Sequence, residues 1–412
     1  MRRLPVILSI LFLVACPDNT TRLCDHECSL GEVCDYEIGQ CVIQPLEAYK
    51  GPLPGRNARI GSAGSKIVYT GILPETLELL AGDISETKHD IKILTKLTRE
   101  RPLAIATTAT RTTVVWLGDD ARFSFATRTP DTTWTFGIAE SETIYAGTSN
   151  FTAAYDGADT LFIAFQATDR KLRVLSSADL TEWDVALVDD GGIASNGIEC
   201  PDSVRGTRRP GGVGIEPSMV ATPDGMWISY QDADCGDLRL ARSSGPQWSI
   251  DVVDTGTPDA SPVAQRGRTG RWSSIGVGPS GRVGIAYQDE LRGTLKYATP
   301  ADRAFLIETV DDGYELDVNA NQRKDTVGAW ARLAFDSRGA PTIVYMNQSS
   351  ADLRLAQRPQ DGARWVQRTL VSDGIIGFHA GLIELAQGRL VISERLVPSN
   401  GIKGSELVEV WE

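Results

Sequence analysis

Acidic, amide and tryptophan side chains recur at matching places in a strand pattern that repeats through most of the chain. Aromatic faces stack on sugar rings or flat side chains, and amide or carboxylate groups orient a ligand through directional hydrogen bonds. We therefore expect a binding site for a glycan or a protein ligand. The alternative is that these groups line a water-filled channel and cap strands. The candidate binding residues are Gln231, Asp232, Arg271, Trp272, Gln288, Asp289, Trp330, Arg332, Asn347 and His379.

Some of the acids near these positions could instead serve a carbohydrate-active enzyme, either a glycosidase or a lyase. General acid–base catalysis needs two ionisable groups at a defined separation and with different pKa values. The candidate acids are Glu216, Asp232, Asp289 and Glu394. Because a sequence gives no distance between side chains, no pair can be chosen, and binding without catalysis is the preferred interpretation.

One segment resembles the start of a calcium-binding loop. Oxygen-bearing side chains stand at the first, third, fifth and ninth positions of that loop. Its sixth position is Gln322 instead of glycine, and its twelfth is Gly328 instead of an acid. Calcium is therefore a candidate cofactor, and a polar surface loop is the alternative. The candidate ligands are Asp317, Asn319, Asn321 and Asp325.

A repeated four-strand unit must position all these side chains. Short strands ending in Tyr230, Tyr287 and Tyr345 are preceded by an alternating strand and a tight turn. Each is followed by an L-x-x-A strand. The next strand begins with an aromatic residue and ends in a turn of an acidic residue and glycine. Four alternating strands in every fifty to sixty residues are typical of a β-propeller blade. The sequence therefore predicts an all-β propeller of four-stranded blades.

The number of blades follows from the number of strands that end in a residue equivalent to Tyr230. Seven such anchor positions occur, 47 to 65 residues apart, and Glu394 replaces the aromatic residue in the last of them. They predict seven blades. The alternative is six blades, with an N-terminal strand completing the final sheet, because the last anchor is followed by too little chain for an outer strand.

The pattern I-[SA]-Y-x-D, then L-x-x-A, then Trp resembles the repeats of sialidase-like and other BNR-type bacterial surface propellers. The resemblance covers residues 60–412 and holds only at the level of the repeat. The Asp-box of that superfamily occurs once, in the degraded form Ser177–Trp183. The resemblance therefore implies the fold and does not imply sialidase activity.

Long connections predict which face of the propeller binds a ligand. They follow the outer strands of three blades, whereas the turns within blades are short, and irregular loops on a rigid scaffold commonly carry function. We expect the site between the blades anchored at Tyr230, Tyr287 and Tyr345. Cys200 and Cys235 fall on this same face, so we also predict a disulfide between them.

The N-terminus resembles a bacterial lipoprotein signal. Arg2 and Arg3 precede a short apolar stretch that ends in Leu13-Val14-Ala15-Cys16, as in a lipobox. The resemblance implies removal of residues 1–15, lipidation of Cys16 and a lipid anchor in the membrane of the cell envelope. Pro17 replaces the aspartate that commonly retains such proteins at the inner membrane, so the outer membrane is expected.

Residues 16–56 form a small cysteine-rich module and a linker ahead of a propeller at 57–412. Four cysteines fall within eighteen residues of this module, a stretch too short to bury a core, so two disulfides are expected. Their pairing stays open, with Cys24–Cys34 and Cys28–Cys41 preferred. A zinc knuckle is the alternative, although an exported thiol would be oxidised.

The charge balance excludes one class of partner. The chain has 41 Lys and Arg against 54 Asp and Glu, a formal net charge of −13, and only three His. Nucleic-acid binding needs a basic footprint that displaces counterions from phosphate. We therefore expect no nucleic-acid partner, a monomer, and a ligand that is neutral or cationic instead of acidic.

Overall fold

The computed structural model describes residues 32–35, 40–43, 48–49, 52–129, 132–139, 150–192, 194, 212–256, 268–302, 304–316, 322–359, 364–386, 388–399 and 402–412. The chain divides into two compact units, Met1–Pro45 and Leu46–Glu412. In the first unit, strands β1 (Glu32–Asp35) and β2 (Gln40–Ile43) pair antiparallel, with Cys34 opposite Cys41. Across the described ranges, no helix is long and apolar enough to cross a membrane. The expectations for Cys16, Cys24 and Cys28 lie outside the described residues.

The second unit is a propeller whose described strands form seven antiparallel sheets, so the predicted seven blades are confirmed. From the inner strand outwards the strands run in chain order within each blade. Blades 1 to 3 contain β4 (Arg56–Ala63), β5 (Lys66–Ile72), β6 (Glu78–Ile84), β7 (His89–Lys96); β8 (Leu103–Thr107), β9 (Thr112–Leu117), β10 (Phe123–Arg128), β11 (Thr135–Ala139); β12 (Thr152–Tyr155), β13 (Leu161–Gln166), β14 (Leu172–Ser177), β15 (Asp184–Asp189). A short strand, β3 (Ala48–Tyr49), pairs with the outer edge of blade 1.

The remaining blades follow the same order. Blades 4 to 7 contain β16 (Val213–Thr222), β17 (Gly225–Asp232), β18 (Asp237–Ser244), β19 (Gln247–Asp254); β20 (Thr269–Val277), β21 (Val283–Asp289), β22 (Thr294–Ala301), β23 (Ala304–Asp311); β26 (Val327–Phe335), β27 (Pro341–Asn347), β28 (Asp352–Gln357), β29 (Val366–Val371); β30 (Ile375–Leu385), β31 (Gly388–Ser399), β32 (Ile402–Trp411). A hairpin, β24 (Tyr314–Leu316) and β25 (Gln322–Lys324), lies in the connection from blade 5 to blade 6.

The apolar core lies between neighbouring blades. The second strand of blade 5, β21, is buried at every residue because both faces of its sheet are covered. Tyr287 and Ile285 from β21 pack in one cluster with Leu238 and Leu240 from blade 4. Outer strands such as β23 leave half of their residues exposed. Each blade is therefore stabilised by its neighbours, as the repeat requires.

The tyrosine anchors and the acidic turns of the repeat form one hydrogen-bonded unit between blades. The hydroxyl of Tyr287 donates to Oδ2 of Asp254, at the end of the preceding outer strand, over 2.7 Å. Lys296 lies 2.9 Å from the same carboxylate. Burial raises the pKa of Tyr287 well above its usual value, and the negative charge of Asp254 adds to this increase. The same arrangement recurs with Tyr230, Asp189 and Arg239, and with Tyr345, Asp311 and Arg354.

The ring is closed by the segment that precedes blade 1. Blade 7 has three strands, and Pro54 pairs with Glu406 on the free edge of the third. The backbone N–H of Leu407 donates to the carbonyl of Leu53 over 3.4 Å, and the Tyr69 hydroxyl donates to the carbonyl of Pro54. The N-terminal segment thus occupies the outer edge of the last sheet, as the six-blade alternative supposed, but that sheet is the seventh.

Candidate functional site

In five neighbouring blades, one residue at the same position of the inner strand has an unusual backbone conformation. Asn57, Glu216, Trp272, Trp330 and His379 have φ angles of 50°, 49°, 54°, 56° and 48°, in the left-handed region that non-glycine residues avoid. They belong to blades 1, 4, 5, 6 and 7, which are contiguous around the ring. Each lies at a register shift where the inner strand carries an extra residue, as between Arg271 and Ser274.

A glycine two residues earlier makes this bulge possible. At Gly270 the φ angle is 90°, and an added Cβ would lie 2.8 Å from the Cα of Leu238 in the preceding blade. Only glycine permits so close an approach of two backbones. The corresponding glycines in the other four blades are Gly55, Gly214, Gly328 and Gly377.

The side chains at this step form an arc of contacts around the axis of the propeller. The rings of Trp272 and Trp330 lie 3.6 Å apart between centroids, and the His379 ring lies 4.4 Å from Trp330. The guanidinium of Arg271 lies 4.9 Å from the centre of the Trp272 ring. Glu216 accepts a hydrogen bond from the backbone N–H of Trp272 over 2.9 Å. The predicted residues Arg271, Trp272, Trp330 and His379 are thus brought together.

A cavity of about 170 Å³ lies against this arc, within the central channel. Glu216, Trp272, Arg59 and Arg332 line it. Blades 2 and 3 lack the left-handed step, and residues in and just before their inner strands also line the cavity: Leu103, Ala104, Ile105, Asn150, Phe151, Thr152 and Ala153. The lining therefore combines charged and aromatic groups with largely apolar residues.

The charged groups in the channel have altered proton affinities. Burial raises the pKa of Glu216 to about 7, although the N–H of Trp272 and the charges of Arg271 and Arg332 oppose the shift. Burial, with repulsion from Arg332, lowers the pKa of Arg59 to about 9. Burial also lowers the pKa of Arg332. Near neutral pH, Glu216 can therefore exchange a proton.

Glu394 lies at the His379 end of the arc. Its Oε2 is 2.7 Å from Nδ1 of His379, and its Oε1 is 3.7 Å from Arg56. Burial lowers the pKa of His379 despite this hydrogen bond. In the sheet register Glu394 pairs with Phe378 as Gln231 pairs with Ile215. Glu394 therefore occupies the glutamine position of the repeat, one residue beyond the aromatic anchor that the sequence analysis assigned to it.

The glutamines that follow the anchors bind the next blade. Nε2 of Gln231 donates to the carbonyl of Thr269 over 3.1 Å, and Nε2 of Gln288 donates to that of Val327 over 2.8 Å. Both glutamines are buried. Their amide groups therefore join the second strand of one blade to the inner strand of the next.

The acids that follow these glutamines are also occupied within the fold. Asp232 forms an ion pair with Arg239 at 2.7 Å, and it accepts the N–H of Cys235. Asp289 lies 2.7 Å from Arg292 and 3.1 Å from Lys296. Both carboxylates are at most 1% exposed. Of the four candidate catalytic acids, Glu216 and Glu394 remain next to the arc.

Two further predictions fall partly outside the described residues. Asp317, Asn319 and Asn321 lie outside them, and Asp325 accepts a hydrogen bond from Asn347 over 2.8 Å and pairs with Arg323 at 3.0 Å. Within the described ranges there is no cluster of three or more potential metal ligands. Cys235 is buried and disulfide-bonded. Cys200 lies outside the described residues, so its pairing with Cys235 stays a prediction.

Asn57 and Arg59 were missed by the sequence analysis, which placed them at the linker boundary. The signal was present: P-G-R-N-A-R at 54–59 parallels V-G-A-W-A-R at 327–332. The structure confirms the equivalence, because Arg59 and Arg332 each donate to the carbonyl of the preceding alanine over 2.8 Å. Aligning the glycines of the five blades that carry this bulge would have found both residues.

A larger groove of about 910 Å³ lies between the outer strands of blades 5 and 6. Its charged side chains bind one another: Glu308 accepts hydrogen bonds from Arg358 over 2.9 Å and from Nε1 of Trp365 over 3.0 Å. Arg354 in the groove pairs with Glu315 and Asp311. The groove is therefore held by internal ion pairs, unlike the central cavity.

Comparison with known proteins identifies the fold. No family model and no curated protein matches this chain. Among solved structures, the BP39L lectin from Burkholderia pseudomallei has a TM-score of 0.59 at 11% identity, covering 88% of this chain and 97% of the lectin. The polysaccharide lyase Uly1 has a TM-score of 0.52 at 11% identity, covering 88% of this chain and 91% of the lyase. At such identities the similarity establishes a shared propeller fold.

Proposed function

We propose that this chain is a glycan-binding β-propeller whose site is the central cavity and the arc beside it. The observation that carries the proposal is the set of left-handed residues in five contiguous blades. A left-handed conformation costs a non-glycine residue about 1–2 kcal/mol, and such strain clusters at binding and active sites. In blades 4 to 7 this conformation accompanies the contacts that join Glu216, Trp272, Trp330 and His379 beside the cavity.

The chemistry of the arc suits a sugar. Trp272 and Trp330 offer aromatic surface for a sugar ring, and Glu216 and His379 carry hydrogen-bonding groups beside these rings. An apolar surface with a few oriented polar groups is typical of small-ligand sites. The two structures reported above are named as a lectin and a polysaccharide lyase, which supports a carbohydrate as the ligand class.

A glycan array followed by titration of the best ligand tests this proposal. Trp272→Ala should weaken binding by about tenfold or more, because one stacking surface is lost. Trp365→Ala, in the groove between blades 5 and 6, is the control and should bind as the wild type does. Unchanged affinity in a Trp272→Ala protein that still unfolds cooperatively would place the site elsewhere.

Catalysis on the bound glycan is a second candidate function, favoured by the two acids next to the arc. Glu216 has a pKa of about 7, and His379 is held by Glu394 at 2.7 Å. A carboxylic acid whose pKa lies near neutral pH can serve as a general acid or base. The test is release of new chain ends from a glycan that binds. Activity that Glu216→Gln abolishes while binding persists would identify an enzyme.

We also propose that the propeller is tethered to the cell envelope by a lipid on Cys16, at the outer membrane. The lipobox-like Leu13-Val14-Ala15-Cys16 supports this location. Growth with a labelled fatty acid should label the wild-type protein and leave Cys16→Ser unlabelled. A wild-type chain that stays unlabelled in an expressing bacterium would exclude the anchor.

A further inference from the structure

Among the residues that the structure describes, two arginines of the central cavity have no acidic partner within hydrogen-bonding distance. Arg59 and Arg332 each donate to the backbone carbonyl of the preceding alanine over 2.8 Å. Neither forms an ion pair with any acid in the part of the chain that the structure describes. The buried Arg239 differs, since it lies 3.0 Å from Asp189 and 2.7 Å from Asp232.

These two arginines occupy the same step on either side of blade 7. Arg332 follows Trp330 by two residues in blade 6, and Arg59 follows Asn57 by two residues in blade 1. The equivalent residue of blade 7 is Gly381, which adds no side chain at this level of the channel. Two guanidinium groups therefore line one cavity with no third side chain from the blade between them.

Holding these charges together is unfavourable without an anion. A buried charge without a partner is costly, and like charges in one cavity add repulsion. Both effects act on Arg59, whose pKa falls to about 9 although the charge of Glu394 opposes the shift. Glu216 lines the same cavity, but burial raises its own pKa to about 7, so near neutral pH it compensates only part of the positive charge. The cavity is thus prepared for a negative group from outside.

We infer that the cavity binds the carboxylate of a hexuronate, an acidic sugar, through Arg59 and Arg332. A guanidinium donates two parallel hydrogen bonds to a carboxylate, which gives direction as well as affinity. The volume of about 170 Å³ has room for one sugar unit, whose ring then lies beside Trp272. This inference rests on the proposed glycan-binding function and specifies its ligand.

The net charge of the chain does not oppose this ligand inside the channel. The formal charge of −13 repels anions at long range, and from it the sequence analysis expected a neutral or cationic ligand. Salt screens exposed charges beyond about 10 Å at 0.1 M. Within the cavity, the nearby arginines determine the local potential.

Titration calorimetry with matched sugars tests the inference. The probes are hexuronate oligosaccharides of the gluco, galacto and manno series, each beside its carboxyl-reduced form, which is neutral and otherwise identical. The wild type should bind at least one hexuronate about tenfold or more tightly than its reduced form. Arg59→Met and Arg332→Met should each remove most of that preference. Arg338→Met is the control, because Arg338 is 68% exposed and pairs with Asp336 on the surface.

Three outcomes separate the inference from the proposed function. If a hexuronate and its reduced form bind equally, and the arginine variants match the wild type, the carboxylate inference is overturned while glycan binding stands. If the protein binds neutral glycans on an array and binds no hexuronate, the inference is again overturned while glycan binding stands. If no glycan binds at all, both fall. Should a methionine variant fail to unfold cooperatively, Arg332→Lys replaces it, and losing the paired hydrogen bonds should still reduce the preference several-fold.

Discussion

Asn57, Glu216, Trp272, Trp330 and His379 hold a left-handed backbone. Contacts join the last four of these residues in one group, whereas the Asn57 amide donates to Glu100 over 3.0 Å. The bulge that requires the left-handed backbone also shifts the register of each inner strand by one residue. In a regular strand, alternate side chains would point between blades and into the sheet stack. The local strain therefore has a functional use, which substitutions at Trp272 can measure.

Trp272→Gly should be more stable than Trp272→Ala by about 1 kcal/mol. Both changes remove the indole, but only alanine keeps a Cβ that disfavours a φ angle of 54°. The measurement is the free energy of unfolding in denaturant. At Trp227, which is not among the left-handed residues, the same pair should rank in the opposite order, since glycine weakens an ordinary strand. Equal rankings at the two sites would contradict the strained bulge.

Glu216 should make stability depend on pH. Its folded pKa of about 7 lies above the ordinary value of 4.5 for a glutamic acid, so its stabilising contribution is complete below pH 4.5 and is lost as the pH rises through 7. The groups that act on it are Arg271, Arg332, Glu290 and the N–H of Trp272. In Glu216→Gln this contribution disappears, so the loss of unfolding free energy between pH 4.5 and 8 should shrink by roughly 1–3 kcal/mol.

Denaturant unfolding at several pH values provides the measurement. Glu75→Gln, an exposed substitution in blade 1, is the matched control and should leave the pH profile unchanged. A Glu216→Gln profile that runs parallel to that of the wild type would show that Glu216 has an ordinary pKa.

At the scale of the strand and blade, the tyrosine anchors bind one blade to the next. Each hydroxyl reaches an aspartate that ends the outer strand of the preceding blade, and a cation from the third strand neutralises that aspartate. Two sequence features of the repeat, the aromatic anchor and the acidic turn, are therefore the two halves of one contact. Since this contact is buried, removing one half leaves an unmatched polar group.

Tyr287→Phe should cost about 1–2 kcal/mol of unfolding free energy, because the buried Asp254 loses one hydrogen bond. The loss is limited because Lys296 and the N–H of Gly256 still contact Asp254, at 2.9 and 2.7 Å. Tyr314→Phe is the control, since Tyr314 is 53% exposed. Equal melting temperatures for the two variants would show that the Tyr–Asp contact contributes nothing.

At the scale of the whole molecule, stability depends on closing the ring. The first and last blades meet in one apolar cluster that contains Leu53, Ala58 and Tyr69 together with Leu390 and Ile392. Leu53 belongs to the segment before blade 1, and it also pairs with the last strand of blade 7. An open ring would expose both faces of this junction to water.

Leu53→Ala should lower the free energy of unfolding by roughly 2–4 kcal/mol, because it leaves a cavity at the ring junction. Chemical denaturation gives this value directly. Leu291→Ala removes the same atoms from a site that is 56% exposed, and it should change stability by less than about 0.5 kcal/mol. A small effect at Leu53 would mean that the other strand contacts close the ring without it.

The seven blades and their strand order were predictable from the sequence, because a blade is local. Its four strands follow one another within some sixty residues, so alternating apolar residues and turns record them directly. The anchor tyrosines were found in this way. Glu394 was misplaced by one residue, because I-S-E at 392–394 matches I-S-Y at 228–230 in sequence and only the sheet register reveals the offset between them.

The site was decided by the tertiary structure, because it is made of single residues from many blades. Trp272 and Trp330 were predicted together from their equivalent positions, whereas Arg59 was missed beside the linker. Gln231 and Gln288 looked equally suitable, yet their amides reach the next blade instead of the channel. Whether a polar side chain faces a ligand or a neighbouring backbone depends on the packing of adjacent blades. That packing is set by residues tens of positions away, which no local pattern records.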